Sequence, residues 1–247
     1  MEIRVSGPGS RTETVAVTMR TPGHDFELAV GFLLAEGLVA EASWIRSVRY
    51  CDAVTRTGAG ILNTVTVDLD RTVDVGVRRV GTVSAACGVC GTASLDRMAA
   101  RCAPVAAGAP FPGSLLMRLP ELLRAGQQVF GRTGGLHGAG LFARDGATLA
   151  VREDIGRHNA VDKLFGWAAL ERRIPLADVA LAVSGRVSFE IVQKAVLAGV
   201  PVVSAVSAAS SLAVDTAERF GICLVGFARG TTANVYSHPQ RILWDGG

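Results

Sequence analysis

Two cysteines separated by two residues are the part of this sequence best suited to chemistry. Cys87 and Cys90 lie in residues 84–92, a segment otherwise made of Ser, Ala, Gly, Val and Thr. No bulky neighbour shields either sulfur, and the glycines give the backbone conformations that other residues resist. The segment follows a basic, strand-like run at 77–80 and precedes a helical pattern at 95–101. We therefore predict an exposed loop that carries two thiols.

Such a pair can form half of a zinc site, a dithiol redox pair or a nucleophile that relays sulfur. Zinc needs two more ligands at a similar spacing. Cys51 and Cys102 stand alone, Cys223 lies in an apolar strand, and the four histidines are scattered. We therefore expect no structural metal. A thioredoxin-type pair usually sits in a strand-to-helix turn with an aromatic residue or proline nearby, and this segment has neither.

The sulfur-relay interpretation fits the segment best. Buried, inert cysteines rarely occupy segments of Gly, Ala and Ser. Arg78 and Arg79 would favour the thiolate, which is the form that attacks sulfur. We therefore interpret the pair as a thiolate that accepts a sulfur atom and passes it on.

Composition limits the remaining possibilities. The 247 residues are 49% hydrophobic and only 6% aromatic, which is typical of one large or two small α/β domains. A net charge of +3 is too weak to indicate nucleic-acid binding. Five cysteines and an N-terminus without an apolar segment favour the cytoplasm. Residues 195–214 are uncharged, but Gly199 and Pro201 interrupt them, which favours helix end, turn, buried strand and next helix over a membrane span.

The first part of the chain reads as strands around one helix. Alternation predicts strands over 14–19, 44–50 and 63–69, and residues 70–80 form a third extended candidate after that helix. Asp25 is predicted as the cap or first-turn acid of the helix, which we favour over a catalytic pair with His24. The run 103–113 reads as a linker, and 115–130 as a helix around Pro120 whose second part begins near that proline. These last two ranges precede a change of style at residue 131.

From residue 131 onward, strands and helices alternate. A hairpin around Asp145–Gly146 precedes a helix from Asn159, and three further strands alternate with two helices. Alternation of this kind predicts a mostly parallel sheet with helices on both faces. Asp162 and Lys163 are interpreted as groups that support the site or as a surface pair, and Glu190 with Lys194 as an i,i+4 pair on one helix.

Three polar loops are predicted at the carboxyl edge of that sheet, where such sheets bind ligands. Glycines allow close approach, helix N-termini favour anions, and arginines pair with phosphate. The sequence therefore indicates a pocket for a phosphorylated ligand, although it contains no Walker or Rossmann motif. The loops contain Asp154, Gly156, Arg157, His158 and Asn159; Ser184, Gly185, Arg186 and Ser188; and Ala228, Arg229, Gly230, Thr231 and Thr232.

Taken together, the motifs resemble the FdhD/NarQ family, whose members are sulfur carriers required for active formate dehydrogenase. The resemblance covers nearly the whole chain and is far more specific than the cysteine pair alone. Its motifs lie at 21–25, 27–33, 87–91, 133–137, 154–163, 184–186 and 226–230.

The resemblance implies a fold as well. A smaller N-terminal β-rich part, 1–110, would carry the cysteine loop, and a three-layer α/β domain like that of cytidine deaminases would occupy 111–247. That domain would lack zinc ligands, in agreement with the absence of the deaminase His-X-Glu and Pro-Cys-X-X-Cys signatures.

The resemblance further implies a cytoplasmic homodimer that binds neither nucleic acid nor membrane. It would act as a sulfurtransferase that takes sulfur from a cysteine desulfurase and transfers it to the molybdenum or tungsten bis(molybdopterin guanine dinucleotide) cofactor for the formate dehydrogenase apoenzyme. Cys87 would carry the persulfide and Cys90 would assist or resolve it. The stretch from Phe227 to Thr232 matches the family's cofactor-contacting segment.

Two other functions stay open at this point. A dithiol redox enzyme would use Cys87 and Cys90 as an oxidisable pair, and a non-catalytic chaperone would only bind and deliver the cofactor. The sequence does not decide whether His24, His137 and His158 touch a ligand or hold loops.

Overall fold

Two β-sheets, one of four strands and one of six, organise the residues that the computed structural model describes, 1–51, 62–75, 96, 98–99 and 102–244. The segment with Cys87, Cys90, Arg78 and Arg79 lies outside these residues. The described strands are β1 (Glu2–Ser6), β2 (Glu13–Val17), β3 (Ile45–Tyr50), β4 (Thr64–Leu69), β5 (Phe111–Pro112), β6 (His137–Ala143), β7 (Thr148–Asp154), β8 (Val179–Val183), β9 (Val202–Ala205), β10 (Cys223–Arg229), β11 (Thr232–Ser237) and β12 (Ile242–Leu243).

Among the described helices, one lies with the four-stranded sheet and five with the six-stranded sheet. None of them is long and apolar enough to cross a membrane. They are α1 (Asp25–Ala35), α2 (Gly113–Gly126), α3 (Gln128–Thr133), α4 (Arg157–Leu170), α5 (Phe189–Ala198) and α6 (Ser211–Phe220), with short 3-10 helices at Ala42–Trp44 and Pro239–Arg241.

The smaller sheet has the order β2-β1-β4-β3, with β1 and β4 parallel and the other pairs antiparallel. Its apolar face packs against α1 through Ala29, Phe32 and Leu33. The strands predicted at 14–19, 44–50 and 63–69 are confirmed as β2, β3 and β4. The extended candidate at 70–80 is wrong over residues 71–75, which are not strand, and its remainder lies outside the described residues.

The larger sheet has the order β11-β10-β9-β8-β6-β7. The prediction of a mostly parallel sheet is wrong: only β8/β9 and β9/β10 are parallel pairs. Strands β6 and β7 are joined by the tight turn at Asp145–Gly146, and β10 and β11 by the turn at Gly230, so both pairs are antiparallel. Such short connections cannot join parallel neighbours. The sheet is therefore mixed.

Helices cover both faces of the larger sheet, as predicted, and give three layers. On β8, Ala180 and Ala182 pack with the apolar side chains of α2, whereas Leu181 and Val183 pack with α4, α5 and α6. This alternation is the two-residue period of a strand buried on both faces. The likeness to cytidine deaminases and the boundary at residue 110 stay predictions.

The helix predicted over 115–130 is two helices. The chain breaks at Gln127, which ends α2 with extended backbone, and not near Pro120. A proline inside a helix cannot donate to the carbonyl four residues earlier. Here that carbonyl, on Leu116, accepts a hydrogen bond of 3.1 Å from the buried Ser204 hydroxyl. The sheet thereby supplies the donor that Pro120 lacks, and α2 continues through it.

The two sheets are joined where α1 crosses α4 at glycines. A Cβ atom built on Gly31 would lie 1.8 Å from the carbonyl oxygen of Asp162, and one on Gly166 would lie 1.8 Å from that of Glu27. Beside this crossing, Arg152 of β7 donates two hydrogen bonds of 2.5 and 2.7 Å to the Glu27 carboxylate. Backbone contact and a bidentate ion pair thus fix α1 on the larger sheet.

The crossing makes a prediction for Gly166→Ala. The added methyl must push the two helices apart, so we expect the free energy of unfolding to fall by about 3 kcal/mol or more in urea denaturation. The matched control is Gly131→Ala in α3, where the nearest atom to a new Cβ lies at 3.9 Å. We expect that change to alter stability by less than about 1 kcal/mol. Equal effects of the two substitutions would contradict the close crossing.

Candidate functional site

The three predicted loops meet at one edge of the larger sheet. Strands β8, β9 and β10 all end there, and the antiparallel β6 begins there, with His137 paired to Asp154 at the end of β7. Ser184 attaches its loop to the start of β6, because its hydroxyl accepts a hydrogen bond of 2.8 Å from the Gly138 amide and its own amide donates one of 2.9 Å to the Gly138 carbonyl. The edge therefore gathers the ends of five strands, β6 to β10.

His137 and Arg157 lie directly over Gly185. A Cβ atom built on Gly185 would be 3.3 Å from His137 Nδ1 and 3.8 Å from Arg157 Cδ. Burial and the neighbouring Arg157 charge lower the pKa of His137. Glycine at this position thus leaves the space that the imidazole and the arginine stem occupy.

His158 faces Ser188 and Glu190 at the start of α5. Its Nε2 lies 3.0 Å from the Ser188 hydroxyl and 3.9 Å from the Glu190 carboxylate. Burial, with the Arg157 and Lys194 charges, lowers the pKa of His158 to about 4, so the ring is neutral near pH 7. Both partners face the same ring nitrogen, so the group lacks the Ser–His–acid geometry in which serine and carboxylate bind opposite nitrogens.

Arg157 is the cation at the centre of this cluster. It is the first residue of α4, and the N-cap residue Gly156 offers no side chain to the free amides there. The Nε atom of Arg157 is buried and has no hydrogen-bond partner among the described residues. A helix N-terminus beside an unpaired guanidinium N–H is suited to binding an anion.

A groove of ≈ 570 Å³ opens on the other side of Ser184. The second and third predicted loops meet in it, because Ser184, Ala228, Arg229 and Gly230 line one wall. Leaving aside Val206, which follows β9, the other wall comes from α2, α3 and the residue between them: Pro120, Glu121, Leu123, Arg124, Ala125, Gln127 and Phe130. The groove is thus largely apolar, with arginine on both sides.

The α2–α3 wall is the part of the site that the sequence did not indicate. Its position depends on Glu153 of β7, whose two carboxylate oxygens accept hydrogen bonds of 2.8 and 2.7 Å from the amides of Val129 and Phe130. A carboxylate at the start of a helix stabilises the free amides there. The helix break at Gln127 places Phe130 against the groove, and Glu153, which holds the start of α3, lies 23 residues further along the chain.

Phe227 is held in a strained conformation at the end of β10. Its φ of 51° is left-handed, and the β10–β11 register shifts between Gly226 and Arg229. This bulge leaves Phe227 47% exposed while the next residue, Ala228, is buried. Strain of this kind costs on the order of 1–3 kcal/mol and concentrates at functional positions. The result is an exposed aromatic ring beside Arg229.

The remaining predicted residues are peripheral. Arg186, Thr231 and Thr232 are exposed. Together with Arg157, His158 and Gly185, they do not line the groove described above. The structure therefore places the predicted ligand residues in two adjoining groups. One is a cluster of Arg157, His137 and His158 suited to binding an anion, which we call the anion cluster, and the other is a groove beside Arg229.

The interpretations of Asp162 and Lys163 as a surface pair, and of Glu190 with Lys194 as a pair along one helix, are wrong, whereas the other interpretation of Asp162 and Lys163, as groups that support the site, stays a prediction. Lys163 is buried and pairs with Asp154 at 2.8 Å, and Lys194 pairs with the buried Asp162 at 2.6 Å. The partners lie on different elements, whereas sequence spacing had indicated neighbours along one helix. Asp25 is also buried; it is not the cap of α1 but its first residue, so the prediction of a first-turn acid is confirmed. His24 occupies the cap position, and Asp25 accepts hydrogen bonds from Arg20 and Tyr50.

The described cysteines do not form part of this edge. Burial raises the pKa of Cys223 to about 12, so its thiol is unreactive near neutral pH. Cys51 and Cys102 are half-buried. Among the described residues, no three His, Cys, Asp or Glu side chains are grouped to hold a metal ion. The roles of Cys87 and Cys90 stay predictions, since both lie outside the described residues.

Comparison with known sequences gives the family. The FdhD/NarQ family model matches residues 3–243. The chain belongs to the FdhD/NarQ family. Relatives named sulfur carrier protein FdhD include that of Nocardia farcinica, 52% identical over 98% of this chain and 85% of its own, and that of Mycobacterium tuberculosis, 52% identical over 98% and 89%.

A solved structure shares the fold of this chain. The crystal structure of a Desulfotalea psychrophila protein, described as a candidate formate dehydrogenase accessory protein, superposes with a TM-score of 0.71. It is 24% identical and the match covers 98% of this chain and 89% of that protein. At this identity the likeness establishes a shared fold.

The environment of His158 predicts a pH dependence of stability. The folded chain binds this proton only near pH 4, whereas an unfolded histidine takes it up near the ordinary pKa of 6.5. The unfolded state therefore holds more protons between these values, and the free energy of unfolding falls as the pH is lowered from 6.5 to 4. The free energy of unfolding, measured by urea denaturation at several pH values between 4 and 6.5, should depend less steeply on pH in His158→Gln than in the wild type. An NMR titration of His158 near 6.5 would contradict the burial described above.

Proposed function

We propose that this protein is a sulfur carrier that accepts sulfur as a persulfide on Cys87 and delivers it to a metal cofactor carrying guanine dinucleotides. The donor is a cysteine desulfurase, and the recipient is the molybdenum or tungsten bis(molybdopterin guanine dinucleotide) cofactor that formate dehydrogenase uses. The observation that carries the proposal is the convergence of Arg157 and Arg229 at one sheet edge in a member of the FdhD/NarQ family. The names of its relatives support sulfur carriage.

In the first proposed step, the Cys87 thiolate attacks the terminal sulfur of the donor persulfide. The donor's cysteine leaves as a thiolate, and Cys87 gains one sulfur atom without net oxidation. In the second step, the Cys90 thiolate attacks Cys87 Sγ and releases hydrosulfide for the metal. The resulting Cys87–Cys90 disulfide is reset by a thiol reductant, which takes up the disulfide's oxidising equivalents.

The anion cluster and the groove divide the recognition of such a substrate. Arg157 at the N-terminus of α4 would bind one diphosphate, because guanidinium and helix amides both favour dianions. Arg229 would bind a phosphate next to the groove, and the exposed Phe227 ring would stack on a guanine. The substrate's metal supplies the acceptor for hydrosulfide, and the residues of this chain bind and orient it.

We propose a cytoplasmic homodimer that meets the desulfurase and the formate dehydrogenase apoenzyme in turn. The protein then acts as a sulfurtransferase, because sulfur is bound covalently and released in each cycle. A chaperone that only binds the cofactor would need the arginines but neither cysteine, so the cysteines separate the two functions.

The covalent step is tested by intact-protein mass spectrometry after incubation with a cysteine desulfurase and cysteine. We expect a gain of one sulfur mass on the wild type and on Cys102→Ala, and none on Cys87→Ala. Cys90→Ala should still load, since it acts after loading. No gain on the wild type would remove the relay and favour the chaperone.

Ligand recognition is tested by calorimetry with guanosine diphosphate, which represents one arm of the cofactor. We expect Arg229→Ala and Phe227→Ala each to raise the Kd about tenfold, since a charged hydrogen bond or a stacked base contributes about 1.4 kcal/mol. Phe227→Tyr keeps the ring and should bind as the wild type does. Arg11→Ala, at an exposed arginine in the turn between β1 and β2, is the control. If Arg11→Ala weakened binding equally, the loss in Arg229→Ala would reflect the net charge of the protein and not a contact between Arg229 and the ligand.

A further inference from the structure

The segment that leads from β2 to α1 contacts the anion cluster directly. From the sequence, motif 21–25 was assigned to the family resemblance, and a structural role was predicted only for Asp25, as the cap or first-turn acid of α1. In the structure, Thr21 uses all three of its polar groups on residues 153–163, which precede and form the start of α4. These contacts join the unit of the smaller sheet to the loop that carries Arg157 and His158.

The first contacts involve the hydroxyl and amide of Thr21. The Thr21 hydroxyl accepts a hydrogen bond of 3.0 Å from the Ile155 amide. The Thr21 amide donates one of 3.0 Å to Asp154 Oδ2. Asp154 is fully buried, and its other oxygen accepts from the Gly156 amide at 2.9 Å and from Asn159 Nδ2 at 3.1 Å.

The third contact involves the Thr21 carbonyl. Lys163 Nζ donates to it at 2.9 Å, and also binds Asp154 Oδ2 at 2.8 Å and the Glu153 carbonyl at 3.1 Å. Asn159 adds a hydrogen bond of 2.7 Å to the carbonyl of Met19. Arg157 and His158 therefore lie between two residues, Ile155 and Asn159, that the N-terminal segment holds.

We infer that Thr21 is a positioning residue for the ligand site: its hydroxyl fixes the loop from Asp154 to Asn159 so that Arg157 faces the bound diphosphate. This inference rests on the proposed function, which supplies the diphosphate. Gly156 gives α4 no side-chain cap, so the loop depends on Asp154 and Thr21 for its conformation. Ile155 is 57% exposed and is not packed in the core, so its amide hydrogen bond is the restraint at that point.

The test compares Thr21→Val, which removes the hydroxyl but keeps the shape, with Thr21→Ser, which keeps the hydroxyl. Guanosine diphosphate is the probe, and its Kd is measured by calorimetry. We expect Thr21→Val to raise the Kd about tenfold, as loss of one hydrogen bond of about 1.4 kcal/mol does. Thr21→Ser should restore wild-type affinity, and amide exchange over residues 154–159 should quicken in Thr21→Val alone.

The matched control is Thr216→Val in α6. Thr216 is fully buried, and its hydroxyl donates to the Leu212 carbonyl of its own helix, far along the chain from the loop. It measures the general effect of removing a threonine hydroxyl on melting temperature and affinity. Asn159→Ala, which removes the contact to Met19, is a second variant should Thr21→Val fail to fold, and it too should weaken binding.

Each result has one meaning. Unchanged affinity in Thr21→Val, or an equal loss in Thr216→Val, overturns the positioning role while the proposed function stands. A wild type that binds no guanosine diphosphate overturns the ligand part of the proposed function, and the positioning role falls with it. Sulfur loading of Cys87 should be the same in every variant, because the inference concerns the ligand edge alone.

Discussion

The buried ion pair between Asp154 and Lys163 is the interaction on which the rest of the structure depends. Removing both charges from water is costly, and such a pair stabilises a fold only when its hydrogen-bonding capacity is filled. Here the three ammonium protons have three acceptors, on Asp154, Thr21 and Glu153. The carboxylate has four donors, from Thr21, Lys163, Gly156 and Asn159. The pair thereby sets the positions of β7, α4 and the chain after β2 relative to one another.

The glycine crossing of α1 and α4 serves the same arrangement by different means. Side-chain contacts between helices tolerate small shifts, whereas backbone contact at Gly31 and Gly166 leaves almost no freedom along the helix axis. The buried Asp162–Lys194 pair then attaches α5 to α4. Helix α4 is consequently held from three directions, and its first residue, Arg157, takes its position from all three.

The local sequence pattern was sufficient to predict most strands and helices, but it did not predict which strands pair or which charged side chains bind each other. Strand and helix alternation predicted β8, β9 and β10, and the rule that ligands lie beyond parallel strand ends predicted that the three loops lie at one edge of the sheet, where the structure places them. The hairpin of β6 and β7 was predicted, but the antiparallel pairing of β8 with β6 could not be inferred, because the crossover from β7 through α4 could return the chain beside either strand of that hairpin. Buried charges were misread for a similar reason: Lys194 has Glu190 at helical spacing, but its partner, Asp162, lies on another helix. Thr21 escaped notice because its partners are more than 130 residues away.

Glu153 gives the ligand edge a mechanical property that neither of its parts has alone. Its carboxylate holds the start of α3, which forms one wall of the groove, and its carbonyl accepts from Lys163 beneath the Arg157 loop. Glu153 therefore connects the groove directly to the anion cluster. A displacement on either side of Glu153 would strain its hydrogen bonds on the other. The two-armed ligand proposed above would therefore contact two parts of the edge that Glu153 connects, and binding of one arm would favour binding of the other without any change in fold.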